Sequence, residues 1–294
     1  MVAGSLRAQA AASGDAEMPA DLPAVLQPWF GRGEGVRQWV PTPHDMVSRM
    51  LQAARVGPQD LLVDLGSGDG RIVLAAVAQF GARAMGIELT PALVTHARAE
   101  AQRLGLAERV QFIQGDLFEQ DFSAASVVTA YLPVSVNRRL RPVLLRMKPG
   151  TRVLSHYFAF EHWPADVILE APDRQAYLWI VPARVGGAWH LQLADQPLQQ
   201  INLQQQFQRV RGQLIVGDQQ WRLPMVQLQG DRITLILPRA DGSERMLRGR
   251  VSSDGRSLQG DAPADWQATR IEVEHADEDA ADEFGPSDQT APGG

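Results

Sequence analysis

Cysteine is absent from the 294 residues, which excludes disulfide frameworks, thiolate zinc sites and cysteine nucleophiles. Lysine is almost absent: Lys148 is the only one, and arginine supplies every other basic residue. That usage reads as the codon bias of a G+C-rich bacterial genome. No apolar run reaches the roughly 18–20 residues of a membrane helix, so membrane insertion is not expected. Leu6 to Ala12 has the small residues of an export cleavage site, but no apolar core of about 7–15 residues precedes it. A cytoplasmic location follows, subject to revision if translation starts elsewhere.

The formal net charge of −6 is unevenly placed. Residues 271–294 hold a run of acids from Glu272 to Asp288 and no basic residue, which leaves the rest of the chain close to neutral. The main body therefore carries no basic footprint for DNA or RNA, and no nucleic-acid partner is expected. The acidic end reads as a solvated, disordered tail over 274–294, or as a lure for a basic partner. At the other end, residues 1–39 lack a sustained period and read as a flexible leader with one short helix around Leu22–Phe30.

With 45% hydrophobic residues the remainder is globular. The pattern predicts a helix starting near Pro43–Asp45, strands at Leu61–Leu65, Ala84–Leu89, Val110–Gln114, Ser126–Leu132 and Arg152–His156, and helices at Arg71–Phe80, Pro91–Leu104 and Asn137–Met147. Val167–Glu170 and Tyr177–Ala183 close the series as a strand pair. Strands alternating with helices of about 10–15 residues predict an α/β domain over 40–186, its parallel sheet covered on both faces. After Gly186-Gly187 short alternating segments separated by Gly-Asp and Asp-Gly turns predict a small antiparallel β domain over 187–273, a sandwich or a barrel. Its glutamine clusters, Gln199–Gln200 and Gln204–Gln206, read as a solvated edge or as a polar binding face.

The chemistry is concentrated in Val63-Asp64-Leu65-Gly66-Ser67-Gly68-Asp69-Gly70-Arg71. A strand enters a glycine turn and leaves as a helix, so backbone N–H groups can close on a ligand unobstructed. Arg71 stands where a nicotinamide-binding loop carries its third glycine, and no Gly-Lys-Ser/Thr follows to make a P-loop. An acid, Asp64, ends the strand. These features favour S-adenosylmethionine (SAM) over a dinucleotide. Gly66, Gly68 and Gly70 would bring backbone to the cofactor, Glu88 would accept from both ribose hydroxyls, and Asp116 would accept from the adenine amino group with Leu117 against the ring. No metal site is expected.

Residues 40–164 resemble a family of seven-β-strand protein lysine methyltransferases that includes an archaeal broad-specificity enzyme and the mitochondrial enzymes acting on the ATP synthase c-subunit and the adenine nucleotide translocase. The matching segments are Val40-Pro-Thr-Pro43, Asp64 to Ile72, Gly86-Ile-Glu-Leu89, Gly115-Asp-Leu-Phe118, Val127-Val-Thr129, Tyr131 to Asn137, Leu140-Arg-Pro142, Pro149 to Val153, Ser155-His156 and Trp163. The resemblance implies a Rossmann-like class I methyltransferase sheet, a lysine-bearing protein as acceptor, and a cofactor contact for Thr42. It does not extend to the 187–273 module. Tyr157 follows His156 where the archaeal pattern has an acid. Ala130-Tyr-Leu-Pro133 departs from the Asn/Asp-Pro-Pro-Tyr/Phe of adenine and glutamine amide methyltransferases.

Methyl transfer is an in-line displacement in which the protein mainly aligns the reacting groups. The acceptor slot is expected at the strand ends, with Tyr131 or Asn137 orienting the amine and His156 accepting its proton or bonding the loop. Two alternatives stay open: a SAM-dependent methyltransferase acting on a small molecule or other acceptor, and a non-catalytic SAM-binding scaffold.

Overall fold

A computed structural model describes residues 40–239 and 241–271; the leader, its expected helix and the acidic end lie outside the described residues. Helix α1 (His44–Ala53) leads into strand β1 (Leu61–Leu65), helix α2 (Arg71–Phe80) and strand β2 (Arg83–Glu88). Helix α3 (Pro91–Arg103), strand β3 (Val110–Gln114), strand β4 (Val127–Ala130), helix α4 (Val134–Leu144) and strand β5 (Arg152–His156) follow, and β6 (Val167–Ala171) and β7 (Arg174–Ile180) close the unit. The strands form one sheet in the order β3-β2-β1-β4-β5-β7-β6. β1 to β5 run parallel, whereas β7 is antiparallel to both β5 and β6.

Local chemistry explains these elements. Strand β1 is Leu-Leu-Val-Asp-Leu and is buried on both faces, as a central parallel strand must be. Helix α2 lies between Gly70 and Gly81, both left-handed with φ of 81° and 72°, so each end of the apolar run Ile72 to Val77 is set by a residue free of the Cβ penalty. Helix α4 begins at Val134, three residues earlier than expected, because Pro133 is its N-cap and the carbonyl of Pro133 takes the N–H of Asn137.

The remaining strands are β8 (Gly187–Leu193), β9 (Gln199–Gln206), β10 (Arg209–Val216), β11 (Gln219–Arg222), β12 (Met225–Gln229), β13 (Arg232–Pro238), β14 (Glu244–Val251), β15 (Ser257–Gly260) and β16 (Trp266–Arg270). They make one nine-stranded antiparallel sheet, and a pairing between β9 and β10 closes it into a barrel with β11 outside the ring. The glutamine-rich segment, read as an edge or a binding face, is β9, hydrogen-bonded on both sides and burying Ile201 and Leu203. The Gln205 amide takes the N–H groups of Val185 and Gly186 (2.7 and 3.0 Å) and donates to the carbonyls of Ala183 and Phe207.

Sheet and barrel meet along a packed joint. The Trp163 ring stacks on Phe207 at 6.3 Å, Gln208 donates to the carbonyl of Pro164 at 2.6 Å, and Ala183 N–H donates to the carbonyl of Gly230 at 2.8 Å. A Cβ on Gly230, whose φ is +60°, would lie 2.9 Å from Gly150 Cα, so only glycine allows the two backbones to approach this closely. Among the described residues no helix is long and apolar enough to cross a membrane, and no group of three or more potential ligands is placed to hold a metal.

Candidate active site

Strand order reverses between β1 and β4, and open α/β sheets bind ligands outside the carboxyl ends of their strands at such a switch point. Leu65 pairs with Ile87 on one side and Ala130 on the other, and Ala130 pairs with Ser155. Asp64, Glu88, Tyr131 and His156 therefore emerge along a single edge.

The glycine loop is held from below. Gly66 and Ser67 both donate to the carbonyl of Ile87 (2.8 and 3.0 Å), and Gly66, Gly68 and Gly70 all have positive φ. Gly70 is fully packed, since a Cβ there would lie 2.6 Å from the Phe112 ring. Glu88 takes Gly68 N–H on Oε2 (3.0 Å) and Thr90 N–H on Oε1 (2.8 Å). A carboxylate oxygen accepts more than one hydrogen bond, so each keeps capacity for a ligand hydroxyl. Asp64 is buried and accepts from Thr129 Oγ1 at 2.7 Å. Burial pushes its carboxyl up to about 7, reinforced by Glu88 and Asp69 and opposed by the Thr129 bond.

Sequence reasoning missed three participants. Asp69 and Arg71 form a bidentate pair, 2.7 Å at its shortest, and Arg71 Nη1 reaches the carbonyl of Thr42 at 3.1 Å. This ties the Val-Pro-Thr-Pro segment to the loop across 29 residues of sequence. Ser67 Oγ is buried without a hydrogen-bond partner. The only signal for the pair was an acid two places before the arginine in a glycine loop. We expect Arg71→Lys to weaken SAM binding about tenfold with the melting temperature little changed, because an ammonium keeps the charge but cannot hold both Asp69 and Thr42 through a planar fork. Titration calorimetry checks this.

The expected acceptor residues do not all converge. The Tyr131 and His156 rings sit edge-to-face at 4.4 Å, and Thr42 Oγ1 lies 3.4 Å from His156 Nδ1. His156 Nε2 is buried and unpartnered. Burial, assisted by the nearby Arg174 charge, lowers the His156 pKa to about 4, and burial raises that of Tyr131. Tyr157 is held at a φ of 67°, a conformation that costs an aromatic residue energy and tends to mark functional sites. Asn137 Nδ2 donates to the carbonyl of Phe158 at 3.2 Å, which Ser155 Oγ also holds at 2.5 Å, and Asn137 Oδ1 is buried without a partner. Asp116 stands exposed at the end of β3, caps the 3-10 turn Leu117–Glu119 through the N–H of Phe118, and leaves Leu117 half-buried beside it.

Residues 64–167 match the model of the ANTKMT methyltransferase domain. A protein-lysine N-methyltransferase from Saccharolobus islandicus is 38% identical over 149 residues, which span 49% of this chain and 92% of that protein. The chain belongs to this methyltransferase family. The mouse adenine nucleotide translocase lysine N-methyltransferase is 40% identical over 51% of this chain and 67% of its own length. The rat lysine N-methyltransferase of the ATP synthase c-subunit is 40% identical, with this chain spanning about half (54%) of it. A solved structure described as an RNA methyltransferase from Salinibacter ruber, in complex with S-adenosyl-L-homocysteine, is 49% identical over 50% of this chain and 96% of that one, with a TM-score of 0.49.

This family member is a class I SAM-dependent methyltransferase, and its site suits that cofactor. The positive-φ glycines turn the backbone over the strand ends, where Glu88 and Asp64 offer carboxylates on successive strands. A cationic, ribose-bearing molecule answers each of those features.

Proposed function

We propose that this methyltransferase modifies the ε-amine of a protein lysine. The observation that carries the proposal is the cluster of Tyr131, His156 and Thr42 at the strand ends, two aromatic rings in contact with His156 Nε2 left unpartnered, which we read as the wall of the acceptor slot. An aliphatic stem with a hydrogen-bonding head suits such a slot. Arg174, paired with Asp45 and Asp173, stands beside it, so the charges around it largely offset one another. The names of the archaeal and mitochondrial relatives point the same way.

In this reading Thr42, Asp64, Gly66, Gly68, Gly70, Glu88, Asp116 and Leu117 hold the cofactor, which supplies an electrophilic methyl group. Tyr131 walls the acceptor slot. His156 stays neutral at physiological pH, as its lowered pKa of about 4 requires. A free lysine ammonium has a pKa near ~10.4, so proton transfer to His156 is steeply uphill. His156 therefore orients the amine through a hydrogen bond, and the proton leaves to solvent as desolvation lowers the amine's own pKa. Asn137 is a positioning residue that holds the Phe158 carbonyl and through it the turn carrying His156.

The single lysine gives a further consequence. Lys148 is exposed and lies before the start of β5, at the edge of the sheet opposite the slot. It cannot reach the slot of its own chain, so any self-methylation passes between molecules.

The test offers labelled SAM and the purified chain to three pools: cell protein, the same protein with its lysines blocked by acetylation, and total RNA with metabolites. Label in the first pool alone is expected. Label in RNA or metabolites, or label undiminished by blocking, overturns the lysine reading.

A further inference from the structure

The barrel encloses a second site, unrelated to the methyl-transfer slot. A cavity of about 390 Å³ opens at one end of it, lined by Leu193, Leu214, Leu237 and the Trp221 ring. Ligand pockets begin at about 300 Å³ and combine apolar walls with a few placed polar groups. The joint with the sheet, at Phe207, Gln208 and Gly230, lies in turns at the other end of the same strands. Strands of seven or eight residues separate the two ends by roughly 20–25 Å at about 3.3 Å per residue. Whatever enters the cavity does not present its reacting atom to the methyl-transfer slot.

The polar groups of the cavity favour a donor over an acceptor. Gln199, at the start of β9, donates through Nε2 to Gln196 Oε1 at 2.7 Å, while its own Oε1 is buried with no donor. A buried acceptor left unsatisfied is costly, and an entering N–H recovers that cost after a small turn of the amide. Arg245 is held by Asp195 and Asp265, both at 2.7 Å, and only Arg239 and Asp241 remain at the rim. Asp195 and Asp265, outside the lining, offset the charge of Arg245, and Asp241 opposes that of Arg239, so the mouth offers an anion little net attraction.

We propose that this cavity binds a small organic amine: an aliphatic or aromatic body against Leu193, Leu214, Leu237 and Trp221, with the amine head donating to Gln199 Oε1. The proposal is independent of which acceptor the transferase modifies.

The test titrates the full chain with 2-phenylethylamine, 2-phenylethanol and 3-phenylpropionate while following the Trp221 indole N–H by NMR, assigned through Trp221→Phe. The amine is expected to shift that resonance and to bind at least tenfold more tightly than the carboxylate. Val216→Trp, which fills the mouth from a half-buried position, is expected to abolish binding. Gln199→Leu is expected to reduce amine affinity at least fivefold. Melting temperature and methyl transfer, measured on the same samples, report folding. The proposal fails if Trp221 is unmoved at millimolar amine, if the carboxylate binds equally well, or if a folded Val216→Trp or Gln199→Leu binds the amine like the parent.

Discussion

Asp64→Asn is expected to make the ligand-free protein more stable at pH 8 by about 4 kcal/mol, and to cost SAM affinity at least a hundredfold. Burial holds the Asp64 carboxyl near 7, about three units above its ordinary value of 3.8, and each unit is worth about 1.4 kcal/mol. The sign follows from proton counting. Between pH 4 and pH 7 the unfolded chain has released a proton that the folded chain retains, so folding stability falls as pH rises through that window and is level above it. Asparagine does not ionise, and its carbonyl still accepts from Thr129 Oγ1. The variant and parent should therefore melt together at pH 4 and diverge up to pH 8. The parent should also bind SAM more weakly below pH 7, as the carboxylate that faces a cationic ligand becomes protonated. Melting curves at pH 4, 6 and 8, with and without SAM, decide the matter. A variant less stable at pH 8, or one with intact affinity, contradicts the role given to Asp64.

Trp163 carries the second large effect. It is only 2% exposed and its ring contacts Phe160 (5.9 Å), Trp179 (5.8 Å) and Phe207 of the barrel (6.3 Å). Truncating such a side chain to alanine costs about 3–5 kcal/mol, so Trp163→Ala should lower stability by that amount and loosen the barrel from the sheet. Trp163→Phe should behave quite differently. The Trp163 Nε1–H is buried without a partner, and removing an unsatisfied donor returns about 1–3 kcal/mol, which offsets the smaller ring. A change within about 1 kcal/mol is expected. Guanidinium unfolding of both variants, with limited proteolysis at the joint, measures the contrast. Equal losses in the two would show that Trp163 acts through its N–H rather than through packing.

How far the fold was legible depended on whether a residue's neighbours in sequence were also its neighbours in space. Strand β1 and helix α2 were readable to the residue because the run Leu61–Leu65, the glycine turn and Gly81 set their own boundaries. The barrel was not. Strand β9 alternates Ile201 and Leu203 with glutamine and asparagine, side chains with little preference for strands, and it is held by pairing with β8 and β10. Residues 219–229 form two strands, β11 and β12, separated around Pro224, which has no N–H to give a ladder.

The site divides in the same manner. Glu88 was legible from its place at the end of a strand, and its two backbone partners, Gly68 and Thr90, follow from that place. The bond from Arg71 to the Thr42 carbonyl was hidden, because nothing local distinguishes it from an arginine in the first turn of a helix. The bond from Asn137, offered with Tyr131 as a group to orient the amine, to the Phe158 carbonyl was hidden for the same reason.

The measurement that bears most directly on the lysine reading is acid hydrolysis of cell protein labelled by the purified enzyme with methyl-deuterated SAM, followed by mass spectrometry of the amino acids. Deuterated ε-N-methyl-lysine is predicted, and it should be absent from a parallel reaction with Glu88→Ala. Deuterium in methyl-arginine, methyl-histidine or an N-terminal amine, with none in lysine, would contradict the lysine slot built from Tyr131, His156 and Thr42.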